Sequence, residues 1–389
     1  MNERNWTPPD SLKGIGSKAW FVGGLGVLAS LIGFFVDRAQ FFQSYLVSWL
    51  FWIALTLGCL GIMMIQHLSG GAWGLLIRRT LEAATRTLPV LTILFIPILL
   101  GLEELYVWAR PEAASDPLIL HKATYLNPMA FTIRSILYLV IWTLFAFMLS
   151  RLSLKQDETG DPAVFRQLKT VAAPGLVVLC LLSTFAAIDW LMSLDPHWYS
   201  SIFGVYFITG AGVAGFAFIS LIALYLSQRP PLEGVIQPKH FHDYGKLLLA
   251  FVMLWSYIAL SQLLIIWSGN LPEEVPWYLH RVQGGWKWVS IALILFNFFL
   301  PFILLLSRDL KRNARLLAGV ALFVLVMRWV DLYWLAAPTF HHDLAPHWLD
   351  ITTMAGIGGI WLAVFGTQLQ KRPLLPLNDP YLEEALGGD

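Results

Sequence analysis

Charge and cysteine are what this sequence has least of. Only 13% of its 389 residues are Asp, Glu, Lys or Arg, against 57% hydrophobic, and the mean hydropathy of +0.64 lies far outside the range of a soluble globular chain. The two cysteines, Cys59 and Cys180, both fall in apolar runs with no CxxC spacing, which leaves a disulfide framework, a thiolate metal site and attached c-type haem without support. All nine histidines fall at span ends or in loops, so paired axial ligands for a haem within the membrane are missing. A net charge of +1 gives no nucleic-acid signal, and no phosphate-binding loop is present. The N-terminal MNERNWTPPDSLKGIGSK contains no cleavable signal pattern, so the first apolar run is expected to stay in the mature protein.

Apolar runs dominate what remains. Ten are long enough to cross about 30 Å of hydrocarbon at 1.5 Å per residue. They are spans 1 to 10, expected at 19–36, 44–67, 88–108, 129–151, 171–192, 201–227, 246–268, 286–307, 314–336 and 347–368. The expected organisation is a polar segment 1–18, an all-α membrane body 19–368 and a tail 369–389. Gly71–Thr87, with Arg78, Arg79 and Arg86 beside Trp73, Leu76 and Ile77, is too charged to span and is expected along the interface. Nineteen of the 26 basic residues fall on the side that holds both termini, five on the other, and Arg134 and Arg328 within spans. That asymmetry predicts cytoplasmic termini and an outward-facing hairpin at Phe185–Tyr206. Trp108, Trp198, Trp277 and Trp286 read as interfacial belts. The Pro-rich, acidic tail reads as a segment that lies on a partner.

Ionisable residues at membrane depth are the candidates for function. Glu103 and Glu104 lie near the outer end of span 3, Asp189 closes span 5, Arg328 and Asp331 share a face of span 9, and Asp350 opens span 10. Two readings stand side by side. Either Arg328 and Asp331 form an ion pair that locks helices, or Glu103, Asp189, Arg328 and Asp331 surround one polar cavity for a proton relay or a quinone head group, with His197 as the exit. Glu104, Arg134 and Asp350 read as snorkelling residues. The inner half is expected to be drier; one stripe on span 7, Lys246, Tyr257 and Ser261, reached through His240, His242 and Asp243, suggests the cytoplasmic mouth of a proton path. No pair of Gly/Pro-broken short spans occupies corresponding positions in the two halves, which counts against an independent secondary transporter.

Three segments carry a resemblance: AAIDWLMSLDPHWYSSIFGVYF (186–207), FHDYGKLLLAFVMLWSYIALSQLLIIWSGNLPEEVPWYLHR (241–281) and MRWVDLYWLAAP (327–338). The chain resembles the ActF family, integral membrane subunits of bacterial alternative complex III, themselves similar to the ActC and the NrfD and polysulfide-reductase membrane subunits. The resemblance implies two four-helix bundles, spans 2–5 and 6–9, flanked by spans 1 and 10, in a bacterial inner membrane. It implies a quinol-oxidising respiratory complex, commonly using menaquinol, whose electrons pass through iron–sulfur clusters and c-type haems on partner subunits. The partners expected are an ActC-like membrane subunit, an iron–sulfur subunit, multihaem cytochromes c, membrane lipid and a terminal oxidase. The chain itself is then expected to bind no metal and to hold no redox centre or catalytic residue. It would conduct protons or interact with quinone, or else serve as a structural subunit.

Overall fold

Short polar residues and prolines set where the helices start. Asp37 accepts from the backbone N–H of Gln40, Asn127 from Ala130 ahead of Pro128, and Asp161 from Ala163 ahead of Pro162. These caps lie outside the apolar runs, so several helices continue past the hydrocarbon by one or two polar turns. A computed structural model describes residues 6–387; Arg4, counted above among the basic residues, lies outside them. The structure is 81% helical with no strand among the described residues, and ten helices are long and apolar enough to cross a membrane. The chain is an all-α, multi-pass membrane protein.

Spans 1 to 5 run Ser11–Val36, Arg38–Ser69, Ala72–Leu100, Pro128–Thr159 and Pro162–Leu194. Spans 6 to 10 run Phe203–Ser227, Pro238–Gly269, Trp286–Leu306, Ala314–Thr339 and Trp348–Gln370. Spans 2–5 pack together and spans 6–9 pack together, with one cluster of buried apolar residues running through both groups; spans 2 and 5 meet span 6 between them, and span 1 lies along span 10, which leans on span 2. Small residues permit both close contacts. A Cβ on Gly58 would sit 1.9 Å from the Ala211 carbonyl oxygen, and one on Gly26 would sit 2.4 Å from the Gly356 nitrogen. The two ends of the chain meet where the Leu374 N–H donates to the Trp6 carbonyl at 2.9 Å, so ten alternating spans return both termini to one face, called here the basic face.

Span 3 departs most from the expectation. Instead of an interfacial piece followed by a span at 88–108, the span-length element is Ala72–Leu100, broken into short helices with proline near the start of two of them, Pro89 and Pro97. Arg78, Arg79 and Glu82 are buried in it. Burial is tolerated because partners from remote segments neutralise them: Arg78 pairs with Asp379 at 2.7 Å, Arg79 with Glu82 at 2.7 Å and with Asp157, and Arg372 with Glu82 at 3.1 Å. The half of the bundle toward the basic face, expected to be the drier one, therefore holds a dense buried charge network. The tail is corrected with it, because Leu374, Leu375 and Ala385 are buried and Asp379 closes the network, so the tail lies on its own chain.

The four tryptophans expected in belts are buried. Trp198 and Trp277 stack at 4.4 Å, the Trp108 indole N–H donates to the Ser193 carbonyl and that of Trp286 to His341. They tie loops to span ends instead of facing head groups, because the loops on the face opposite the basic one fold back over the bundle.

Candidate functional site

Two ionic centres form where one cavity was expected. The first joins spans 4 and 5. Asp189, fully buried, accepts from Arg134 Nε at 2.9 Å, Arg134 Nη2 at 2.8 Å and the Tyr138 hydroxyl at 2.9 Å. Arg134 and Tyr138 are one helical turn apart, which aims both at the same carboxylate. The guanidinium also lies 3.7 Å from the centre of the Tyr125 ring. Arg134 is thus no snorkelling residue, and both Asp189 oxygens are satisfied.

The second centre lies in the other bundle and is built differently. Asp331 is fully buried and accepts from the Tyr206 hydroxyl at 2.5 Å through Oδ1, while its Oδ2 lies 3.0 Å from Arg328 Nη1. That last contact is close but poorly aligned, so among the described residues Arg328 Nη1 and Asp331 Oδ2 both lack a directed hydrogen bond. The absence of a side chain at Gly210 makes room for the guanidinium, since a Cβ there would lie 2.0 Å from Nη2. Trp255 covers the other side, its ring centre 5.1 Å from the guanidinium carbon. Four more polar groups of the same bundle have no partner among the described residues: the indole N–H groups of Trp255 and Trp329, the Tyr244 hydroxyl and the Nδ2 of Asn297. Asn297 is buried within a π-helical stretch, Leu293–Phe299, an irregularity that often accompanies functional sites. The sequence marked the Arg328–Asp331 pair through its three-residue spacing. It gave no sign of Tyr206, Gly210, Trp255 or Asn297, whose depth in three apolar helices decides their role.

An aromatic lid closes this bundle. Arg281, a loop residue by sequence, is buried, donating to the carbonyls of Trp277 at 2.9 Å, Trp334 at 3.2 Å and Leu335 at 2.7 Å and lying 3.5 Å from the centre of the Trp277 ring. Burial pulls its proton affinity down, and the carbonyls and the ring face hold the charge in place of a carboxylate.

The remaining candidates lie elsewhere. Glu103 is exposed and stands apart from both centres, and Glu104 pairs with Arg38 at 2.7 Å, because the chain leaves span 3 before reaching them. Asp350 is buried, caps span 10 through the His347 N–H and accepts from Ser44 at 2.6 Å, so it does not snorkel. His197 is exposed and pairs with Asp116 at 2.7 Å, a bond that holds the Asp116 carboxyl below its usual range. The span 7 stripe turns outward. Lys246 and Tyr257 are exposed, Ser261 is half-buried, and Lys246 is held by Asp243 at 3.0 Å, with His242 half-buried beside them. The face of span 7 that meets the bundle carries Tyr244, Leu248, Val252, Trp255 and Gln262 instead, and His240 is spent on the helix cap, accepting from the Gln237 N–H. Span 7 is apolar on both faces, so periodicity alone could not orient it. Among the described residues, no group of three or more His, Cys, Asp and Glu side chains is placed to hold a metal ion.

No protein-family model matches the chain, and no curated protein matches it.

Proposed function

We propose that this chain is the proton-handling membrane subunit of a quinol-oxidising respiratory complex of the alternative complex III type. It would sit in the bacterial inner membrane with its basic face toward the cytoplasm. Partner subunits would carry the haem c and the iron–sulfur clusters, and an ActC-like subunit would be its membrane neighbour. The under-satisfied Arg328–Asp331–Tyr206 centre supports this reading best. A buried carboxylate with one oxygen bonded and the other unaligned can take up a proton without dismantling its surroundings, and losing that proton restores its attraction to Arg328. The guanidinium is packed against Gly210 and Trp255, which suits proton transfer better than seating a quinone ring.

The test is Asp331→Asn and Tyr206→Phe in the native membrane, with quinol oxidation and proton release followed together. Both variants are expected to co-purify with haem-bearing partners while turnover falls by roughly 10²-fold or more, the usual scale for losing a proton-transfer group. Unchanged turnover would remove the centre from the mechanism. Purification of the chain alone, colourless and without iron, would remove the complex.

A structural reading suits the other centre. Asp189, with every oxygen bonded by Arg134 and Tyr138, has no capacity left for a travelling proton and reads as a lock between spans 4 and 5.

A further inference from the structure

At the basic face, spans 6, 7 and 9 end around a pocket of about 440 Å³. Its floor is apolar, from Leu224, Ile236 and Phe241, and its rim carries Arg312, Asn313 and Arg315. No acidic residue lines it. Arg312 and Arg315 are exposed and form no ion pair among the described residues; Asp243, a nearby acid, is already held by Lys246 at 3.0 Å. Positive charge is in surplus at this corner. Segment 307–315 holds Arg308, Lys311, Arg312 and Arg315 against the single acid Asp309. Lys311 itself is buried to 7% exposure, its stem packed on Gly245, and burial together with the neighbouring Lys246 pulls its proton affinity down.

We infer that this pocket binds the phosphate head group of an anionic phospholipid, with Arg312 and Arg315 on the phosphate and the acyl chains running down the outside of the bundle. Charge complementarity and position support that occupant. A phosphodiester takes paired guanidinium donors, and this pocket opens where membrane-crossing helices end, at head-group depth. Leu316, next to Arg315 in span 9, and Leu306, at the end of span 8, are exposed apolar side chains, 54% and 57% accessible, and give acyl chains an apolar surface to lie on. The helix start adds little, because Asn313 already accepts from the N–H groups of Arg315 and Leu316 at 3.1 and 3.2 Å. The inference is independent of the respiratory role proposed above and needs only the membrane-spanning fold.

Native mass spectrometry of the purified chain, titrated with phosphatidylglycerol or phosphatidylcholine, tests it. Wild type is expected to retain phosphatidylglycerol preferentially. R312Q/R315Q should weaken that retention by roughly thirtyfold, the sum expected for two basic residues at a membrane surface, and leave phosphatidylcholine unchanged. R151Q/K155Q, which removes two exposed charges on the same face outside the pocket, should leave both unchanged. N313D keeps a capping side chain, so it folds, but places a carboxylate in the pocket and should also weaken retention. Equal retention in R312Q/R315Q, or an equal loss in R151Q/K155Q, would overturn the site in favour of diffuse attraction. Inorganic phosphate that displaces the lipid at equal concentration would overturn the lipid as its ligand.

Discussion

Two aspartates of the same chemistry are held to different degrees of completeness. Asp189 has three directed donors, so removing one strands a buried charge. Arg134→Met is expected to cost about 3–5 kcal/mol, toward the lower end because Arg134 keeps 20% of its side chain exposed. Thermal unfolding followed by tryptophan fluorescence would show it, and Arg134→Met with Asp189→Leu should recover most of the loss. A single variant as stable as wild type would mean that Tyr138 alone sustains the carboxylate. His341 offers a pH-dependent case in the loop between spans 9 and 10. Its half-buried ring is held below its ordinary range by burial, with Asp350 and Asp37 pulling the other way and His347 adding to the depression. The unfolded chain therefore takes up the proton before the folded one does. Stability is full above the ordinary imidazole range, near 6.5, and falls as pH drops through it. The melting temperature of wild type should fall more than that of His341→Gln between about pH 7 and pH 5. Parallel curves would show that the ring does not contribute.

The helices were legible in the sequence in number and approximate place, because twenty apolar residues in a row have few alternatives to a membrane. Their faces were not. On span 7 the expected polar stripe, Lys246, Tyr257 and Ser261, is turned away from the bundle, and the packed face carries Trp255 and Gln262. Lipid and protein core are equally apolar, so the pattern that orients a soluble helix is weak here. Small residues are the better guide to contact. Gly58 on span 2 touches the Ala211 carbonyl on span 6, and backbone cannot yield as a side chain can. Gly58→Val is expected to cost at least about 1–3 kcal/mol and to broaden the elution profile in mild detergent. A variant indistinguishable from wild type would mean that the two spans are not in backbone contact.

The whole molecule is closed by its own tail. Asp379 pairs with Arg78 at 2.7 Å, with both side chains almost completely buried, and Arg372 reaches Glu82 and Ser150. A chain reversal across ten spans thus neutralises a charged segment that would otherwise be expelled from the interior. Asp379→Asn leaves Arg78 buried without its carboxylate and is expected to cost about 3–5 kcal/mol. Limited proteolysis should then cut within 70–86, a segment mostly buried in the intact protein, and Arg78→Met with Asp379→Asn should restore resistance. Unaltered cleavage in the single variant would show that the tail is not what holds the segment.

Hydropathy and the positions of the arginines and lysines determined, without coordinates, that this is a ten-span helical protein with its basic residues gathered on one side. They also singled out Asp189, Arg328 and Asp331 as expensive to bury, since the cost of a charge in hydrocarbon depends on the residue and its depth alone. What only the tertiary structure decided is who meets whom. It gave Asp189 to Arg134, Asp331 to Tyr206 and Asp379 to Arg78, partners 55, 125 and 301 positions apart. It also separated Glu103 from both centres and seated Arg79 on Asp157. Pairing depends on helix rotation, on glycines that admit a guanidinium and on where the chain ends come to rest. Those are properties of the packed molecule, and no local pattern encodes them.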